Sequence, residues 1–455
     1  MISLLVPAAL GLAVLLAAAS HPVTAVLVLL VAMFLRVPTP GIPMLPVDLF
    51  VLFFLVAVGS AAMWVSVRMH RLRRLGALEI VMGIYVLWNV YSMVSPHRFS
   101  AAAPLSGEEM SVIRFIVIGT VIPFTAFLVA RLAFDTERAV RALLWTVVAL
   151  GAYSALVSIL QFRAPALVWP RYILENETWP GRAVGVTNQP IGNGTILMLA
   201  FVCALVLAAR GTQLRQGRWL LFVVAAACAY GVFLTYTRAV WLAFGIVIVA
   251  GMILARGFRT GFVVTATAAA AGIATSWSTF TSSDRRAGGV GSTSEIHDRF
   301  NTFSTASWAI REEPWTGWGI GRFTSVNTYF HRTLAPEIPW EGGYAIDAHF
   351  TEMGIAAELG LIGLALWLTI LVLLIRLLVR AYRTLPAGNL LGQPLAVAAL
   401  LAVLCMLVTG VTADLRNLDV TNALVMTIAG AAIGCAGRYG TPDRSPELRC
   451  EEVPA

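Results

Sequence analysis

The chain has 455 residues, of which 58% are hydrophobic and only 12% charged, with a mean hydropathy of +0.81 and a net charge of +8. Globular chains carry about 25% charged residues, so this composition excludes a soluble enzyme, a disulfide scaffold and a nucleic-acid binder. A polytopic membrane protein remains, and its excess of basic residues, all of them arginine, belongs in cytoplasmic connections rather than against DNA or RNA.

A spanning helix needs about 20 apolar residues. Runs of this kind lie at about 2–20, 23–35, 47–67, 77–95, 111–134, 139–160, 190–209, 219–235, 239–255, 260–277, 353–379, 394–411 and 420–437. The first has no basic segment before it and continues into more apolar sequence, so it reads as a span and not a cleaved leader. His21-Pro22 separates it from a short second run. The pair is either a tight hairpin or one broken helix, which gives 12 or 13 spans. The fold class is therefore all-α and polytopic, with one large extracytoplasmic loop. Its parts are an N-terminal transmembrane bundle at 1–277, the loop at 278–352, C-terminal transmembrane helices at 353–437 and a tail at 438–455, read as cytoplasmic and disordered.

Arginines collect in alternate connections: Arg68 to Arg74, Arg131 to Arg141, Arg210 to Arg218, Arg256 and Arg259, Arg376 to Arg383, and the tail from Arg438. These are cytoplasmic by the positive-inside rule. The connections at about 96–110, 161–189, 235–238, 278–352 and 412–419 then face outward. The large loop is too long to be a mere connector. It opens Ser/Thr/Gly-rich, continues as an expected helix from Ser294 through Arg311, and turns repeatedly over Pro314 to Gly321. The cysteines (Cys203, Cys228, Cys405, Cys435 and Cys450) lack CxxC spacing, which argues against a zinc site.

Outward-facing arginines run against the topology rule and are therefore informative. Arg238 ends the Thr235-Tyr-Thr-Arg238 turn. It is either an arginine snorkelling to lipid headgroups or an anion site, since a planar fork of donors suits phosphate oxygens. Arg182 precedes Gly185 and Asn188-Gln-Pro190; it is a solvated loop residue or part of the same anion site. His349, in Asp347-Ala-His349, sits at the foot of a span, where it is structural or a proton acceptor. Glu358 follows inside that helix, as a cap or a supporting carboxylate, and Gly360 and Gly363 suit close helix packing. Asp48, Glu79 and Asp414 at span boundaries read as structural. No HExxH, GxSxG, Walker, dinucleotide or Asp-x-Asp pattern is present.

Four stretches together resemble the O-antigen ligase and O-antigen polymerase superfamily. They are Arg182 through Pro190, Thr237-Arg238-Ala-Val-Trp241, Arg299 through Trp308 with Pro314, Gly317, Gly319, Gly321 and Phe323, and Ala348-His349 with Glu358-Leu-Gly360 and Gly363. The similarity covers roughly 180–365. The family usually has Asn after the His, where Phe350 stands here. The resemblance implies a GT-C-like, metal-independent, inverting glycosyltransferase of the cytoplasmic (inner) membrane, acting on its outer face without a cofactor. Its donor would be a glycan on undecaprenyl pyrophosphate and its acceptor a hydroxyl of a glycan, lipid or protein. Arg238, Arg182 and Arg299 would bind the pyrophosphate, with Arg238 also stabilising the charge that grows on it. His349 would act as general base with Glu358 in support, and the apolar helices would hold the prenyl chain among membrane lipids.

Within the superfamily a ligase moves a finished chain, whereas a polymerase joins repeat units. The single dominant loop leans towards ligase. A transporter or flippase is the alternative of another class. It predicts ionisable residues at mid-membrane and two related halves, and the charges here lie at the span boundaries with no half-to-half repeat visible.

Overall fold

This computed structural model describes residues 11, 13–36, 49–67, 75–104, 106–210, 215–284, 294–332 and 346–439, the side chains of 294–298 excepted. Most of the first apolar run, Asp48, the arginines at 68–74, the loop segment at 285–293, Cys450 and the tail beyond residue 439 lie outside the described residues. Those described form helices and no strand, apart from one isolated bridge between Ala102 and Glu109.

In chain order the helices are α1 (Pro22–Phe34), α2 (Leu49–Val67), α3 (Ala77–Val94), α4 (Val112–Ala133), α5 (Glu137–Arg163), α6 (Pro190–Arg210) and α7 (Arg215–Leu234). They continue with α8 (Arg238–Leu254), α9 (Thr260–Thr275), α10 (Ser294–Glu312), α11 (Phe323–Phe330), α12 (Thr351–Thr384), α13 (Gln393–Gly410) and α14 (Asp419–Tyr439). Among the described residues nine of these are long and apolar enough to cross a membrane, and α1, α8 and α9 are shorter apolar helices. The 12 or 13 expected spans thus divide into full-length and short ones. At 13 residues and about 1.5 Å per residue, α1 reaches only about 20 Å. The helix before it ends at residue 20 because His21 is extended (φ −155°, ψ 132°) and caps α1 through its ring, with Pro22 as the first helical residue.

Two helices organise the bundle. Every residue of α6 from Pro190 to Ala208 is buried, as a helix apolar on all sides requires, and it packs on α5, α7 and α13. The second, α14, lies against α4. There Gly430 and Gly434, four residues apart, let the helix rest on the backbone of α4; a Cβ on either would overlap the carbonyls of Phe127 and Arg131. Small residues at this spacing allow such backbone approach in a membrane, where packing replaces the hydrophobic effect.

The ends of the helices follow the alternation of the arginines. At one end Glu79 pairs with Arg131, and Arg438 with Asp135 at 3.0 Å. The connections read as outward gather at the other end. There α12, 34 residues long, is broken at Gly360 (φ 68°, ψ −175°). That glycine does not serve helix packing, as its spacing from Gly363 led one to expect. Its conformation is one that only glycine adopts readily, and a Cβ would overlap the Trp315 carbonyl. The turn-rich stretch of the large loop runs alongside this break. Trp318 N and Gly319 N donate to the carbonyls of Ala357 and Glu358 at 2.9 Å each, and Leu361 N donates to Pro314 O at 2.7 Å. The expected loop helix is present as α10.

Candidate functional site

Three of the connections read as outward are held in place by their own hydrogen bonds. The Arg182 segment is tied to α7 by Ala183 N donating to Leu234 O at 2.9 Å, and to α5 by Gln161 Nε2 donating to Arg182 O at 2.8 Å. Beneath it Asn193 of α6 is saturated. Its Nδ2 donates to Ala183 O and Ser158 Oγ, both at 3.0 Å, and its Oδ1 accepts from Ser154 Oγ at 2.6 Å. Gly185 (φ 55°) is glycine because a Cβ would collide with this amide.

Among the described residues three non-glycines have positive φ: Asn188 (55°), Tyr236 (43°) and His349 (53°). Each belongs to one of the segments carrying a candidate residue. Left-handed backbone costs about 1–2 kcal/mol for most side chains and tends to collect at functional sites. Asn176 secures the first of them, donating from Nδ2 to Asn188 Oδ1 at 2.7 Å. At the second, Tyr236 lets α7 end at Leu234 and α8 begin at Arg238, with the Trp241 indole donating back to Phe233 O at 3.1 Å.

The result is a cavity of about 830 Å³ whose walls include Arg182, Arg238, Arg299 and His349. Four of the five residues singled out in the sequence therefore meet at one place, although they span 168 positions (349 − 182 + 1). The guanidinium of Arg182 lies 5.2 Å from the centre of the Trp179 ring, and burial lowers its pKa below the usual arginine range. Arg238 feels the charge of Arg182, and its Nε and Nη2 are buried with no hydrogen-bond partner among the described residues. Buried guanidinium donors without acceptors are costly, and these two have the capacity to bond an acceptor in the cavity. The N-termini of α6 and α8, at Pro190 and Arg238, border the same space and add positive dipole ends. The volume is within the usual range for small-molecule sites.

His349 is oriented from its own turn. Its Nδ1 lies 3.1 Å from Asp347 Oδ1, its backbone N donates to the same oxygen at 3.2 Å, and Asn417 Nδ2 donates to Asp347 Oδ2 at 3.2 Å. Burial would raise the Asp347 carboxyl, but hydrogen bonding and charge from His349, with the charge of Arg416, outweigh it and hold the pKa below the ordinary carboxylate value. Phe350, standing where the family usually has Asn, packs its ring edge-on to Phe303.

Glu358 does not line the cavity. It is buried behind the wall, where Oε2 accepts from Arg416 Nη1 at 2.6 Å and Oε1 from Phe323 N at 2.9 Å. Arg416 also bonds Asp414, with Nη2 donating to Oδ2 at 2.5 Å, and rests 5.4 Å from the Phe115 ring. Burial raises the Asp414 pKa against the pull of Arg416. Asp414, read from sequence as structural, is structural in this triad and also part of the cavity wall.

Arg416, Arg36 and Asp347 escaped sequence reasoning. Arg416 was within reach, because it is an arginine in a connection read as outward, the criterion that picked out Arg238. Arg36 closes the cavity from the end of α1, pairing with Asp419 at 3.2 Å, and the unsettled start of the chain hid its side. The role of Asp347 depends on a left-handed turn that no spacing rule announces.

Fold and site together define an all-α, multi-pass membrane protein with an arginine- and histidine-lined cavity at one end of its bundle. Residues 222–368, less than half of the chain, match the family model described as O-antigen ligase. That match supports the O-antigen ligase and polymerase superfamily that the sequence resemblance implied. The match spans Arg238, Arg299, His349 and Glu358 and stops short of Arg182. No curated protein matches the chain significantly.

Proposed function

We propose that the protein transfers a glycan from a polyprenyl pyrophosphate, in this setting undecaprenyl pyrophosphate, to an acceptor hydroxyl at the outer face of the cytoplasmic membrane. The observation that carries this reading is the convergence of Arg182, Arg238 and Arg299 with His349 on one cavity. The arginines supply fixed positive charge for the pyrophosphate, and the unsatisfied donors of Arg238 suit its oxygens.

In the reaction the acceptor oxygen forms a bond to the anomeric carbon as the bond from that carbon to the pyrophosphate oxygen breaks. His349 takes the acceptor's proton. The prenyl pyrophosphate leaves with the electron pair, and its growing charge is met by Arg238 and Arg182, whose positions are set in advance by backbone hydrogen bonds. A single displacement inverts the anomeric centre. Charge neutralisation by arginine stands where other glycosyltransferases use a metal, and cleavage of the activated pyrophosphate linkage supplies the driving force. The dominant loop between α9 and α12 favours a ligase over a polymerase.

The test is the pool of polyprenyl-pyrophosphate glycans, extracted and weighed by mass spectrometry from cells with and without the protein. Long chains accumulating without it identify a ligase, and single repeat units a polymerase. An unchanged pool overturns the glycosyltransferase reading.

A further inference from the structure

We propose that Asp347 is a positioning residue for His349, holding the imidazole with Nδ1 as donor so that Nε2 is the atom that accepts a proton in the cavity. The proposal rests on the reading of His349 as the base and deepens it.

An ionised carboxylate only accepts hydrogen bonds. With Asp347 charged, the 3.1 Å contact to His349 Nδ1 makes that nitrogen the donor, and in the neutral ring Nε2 is then left as the acceptor. The carboxylate is itself fixed at both oxygens. Oδ1 also receives the backbone N–H of His349, and Oδ2 the side-chain amide of Asn417. The left-handed backbone of His349 (φ 53°) accompanies this return of the ring towards the residue two positions earlier. The outer partner is a neutral amide, and among the described residues no arginine side chain pairs directly with Asp347.

The charged groups that share the cavity with the ring come from several elements. The cavity around His349 holds Arg182 from the connection before α6, Arg238 from α8, Arg299 from α10 and Arg36 from the end of α1. Asp414 and Asp419 line it from the other side, but Asp414 is bound to Arg416 and Asp419 to Arg36. Arg416 acts on Asp347 from behind. Among these side chains Asp347 is the carboxylate in contact with the imidazole.

The test uses full-length protein in lipid nanodiscs and diethyl pyrocarbonate, which acylates the unprotonated ring. Modification at residue 349 is followed by peptide mass spectrometry across a pH series. In Asp347→Asn the pH of half-maximal modification is expected to fall by about one unit, the loss of an opposite charge in contact; an unchanged midpoint overturns the proposal. Asp347→Ser gives the same reading if the amide variant does not accumulate. A second arm adds the purified protein to the total lipid extract of cells lacking it and measures transfer. Asp347→Asn should lower kcat by about 10²-fold or more with the donor KM unchanged, the acid limb of the pH profile should move to lower pH, and Asp347→Glu should recover part of the rate. A raised donor KM with kcat unchanged would assign Asp347 to substrate binding and overturn the proposal. Absence of transfer by the unmodified protein would sink the proposed function, while the modification arm would still decide the Asp347–His349 contact.

Discussion

At the scale of single residues, the two strongest candidates differ in how they can be tested. His349 occupies left-handed backbone, where alanine is strained and asparagine is tolerated. His349→Asn is therefore the cleaner removal of the base: it should keep the protein at its normal level in the membrane while transfer falls by about 10²–10⁴-fold. Loss of the protein itself would show a structural role instead. Arg238→Lys keeps the charge and loses the planar fork. Transfer should drop by about 10²–10³-fold, and a near-normal rate would show that a point charge suffices and that the buried Nε and Nη2 bind nothing in the reaction. Arg238 was legible in the sequence because an arginine on the outer side runs against the topology rule, and His349 because it stands at the foot of a span. Asp347 was not, since its contact with His349 comes from one φ angle. The place of Glu358 was only half legible: its position at the head of a span marked it as unusual, but which side of the wall its carboxylate faces was decided by Arg416, 58 residues away.

At the scale of elements, the glycine-rich stretch of the large loop and the head of α12 form one unit. Its hydrogen bonds run from Trp318, Gly319 and Leu361 to carbonyls across the interface, and Phe323 N adds a bond to the Glu358 carboxylate. It is a backbone clamp across the break in α12, the helix that follows His349. Gly360→Ala should break it, because the conformation at φ 68° and ψ −175° is essentially restricted to glycine and a Cβ has no room. The expected cost is about 1–3 kcal/mol of backbone strain with the steric clash in addition, read as a lower melting temperature in detergent and a loss of transfer. A variant as stable and active as the parent would show that the clamp does not position the site. Spacing alone read Gly360 and Gly363 as a helix-packing pair; only the neighbouring Trp315 carbonyl shows that the first of them is a break.

At the scale of the whole molecule, the arginine pattern and the cavity make the same division of the chain into two ends. If the cavity end faces outward, a cysteine placed at the exposed position Glu177 should react with a membrane-impermeant maleimide added to intact cells. One placed at the exposed position Arg380, at the other end of α12, should react only after permeabilisation. The reverse pattern would invert the topology and move the site to the cytoplasm. Arg36 extends the division to the start of the chain. Met33, Phe34 and Arg36 line the cavity, so the end of α1 lies with the outward connections, a point the sequence left open between a hairpin and a broken helix.

What the sequence determined by itself is the all-α membrane class, the run of apolar helices, the alternation of their ends and four of the residues that meet in the cavity. Each of these follows from one-dimensional information: hydrophobic length, the position of charge relative to the spans, and residue type at a turn. What only the tertiary structure decided is which of those residues share a space, that Glu358 is tied into a buried triad with Arg416 and Asp414, that Asp347 touches His349, and that Arg36 closes the site. These are contacts between segments far apart in the chain or across a single left-handed turn. They depend on how helices pack and where the backbone bends, which hydropathy and spacing do not encode.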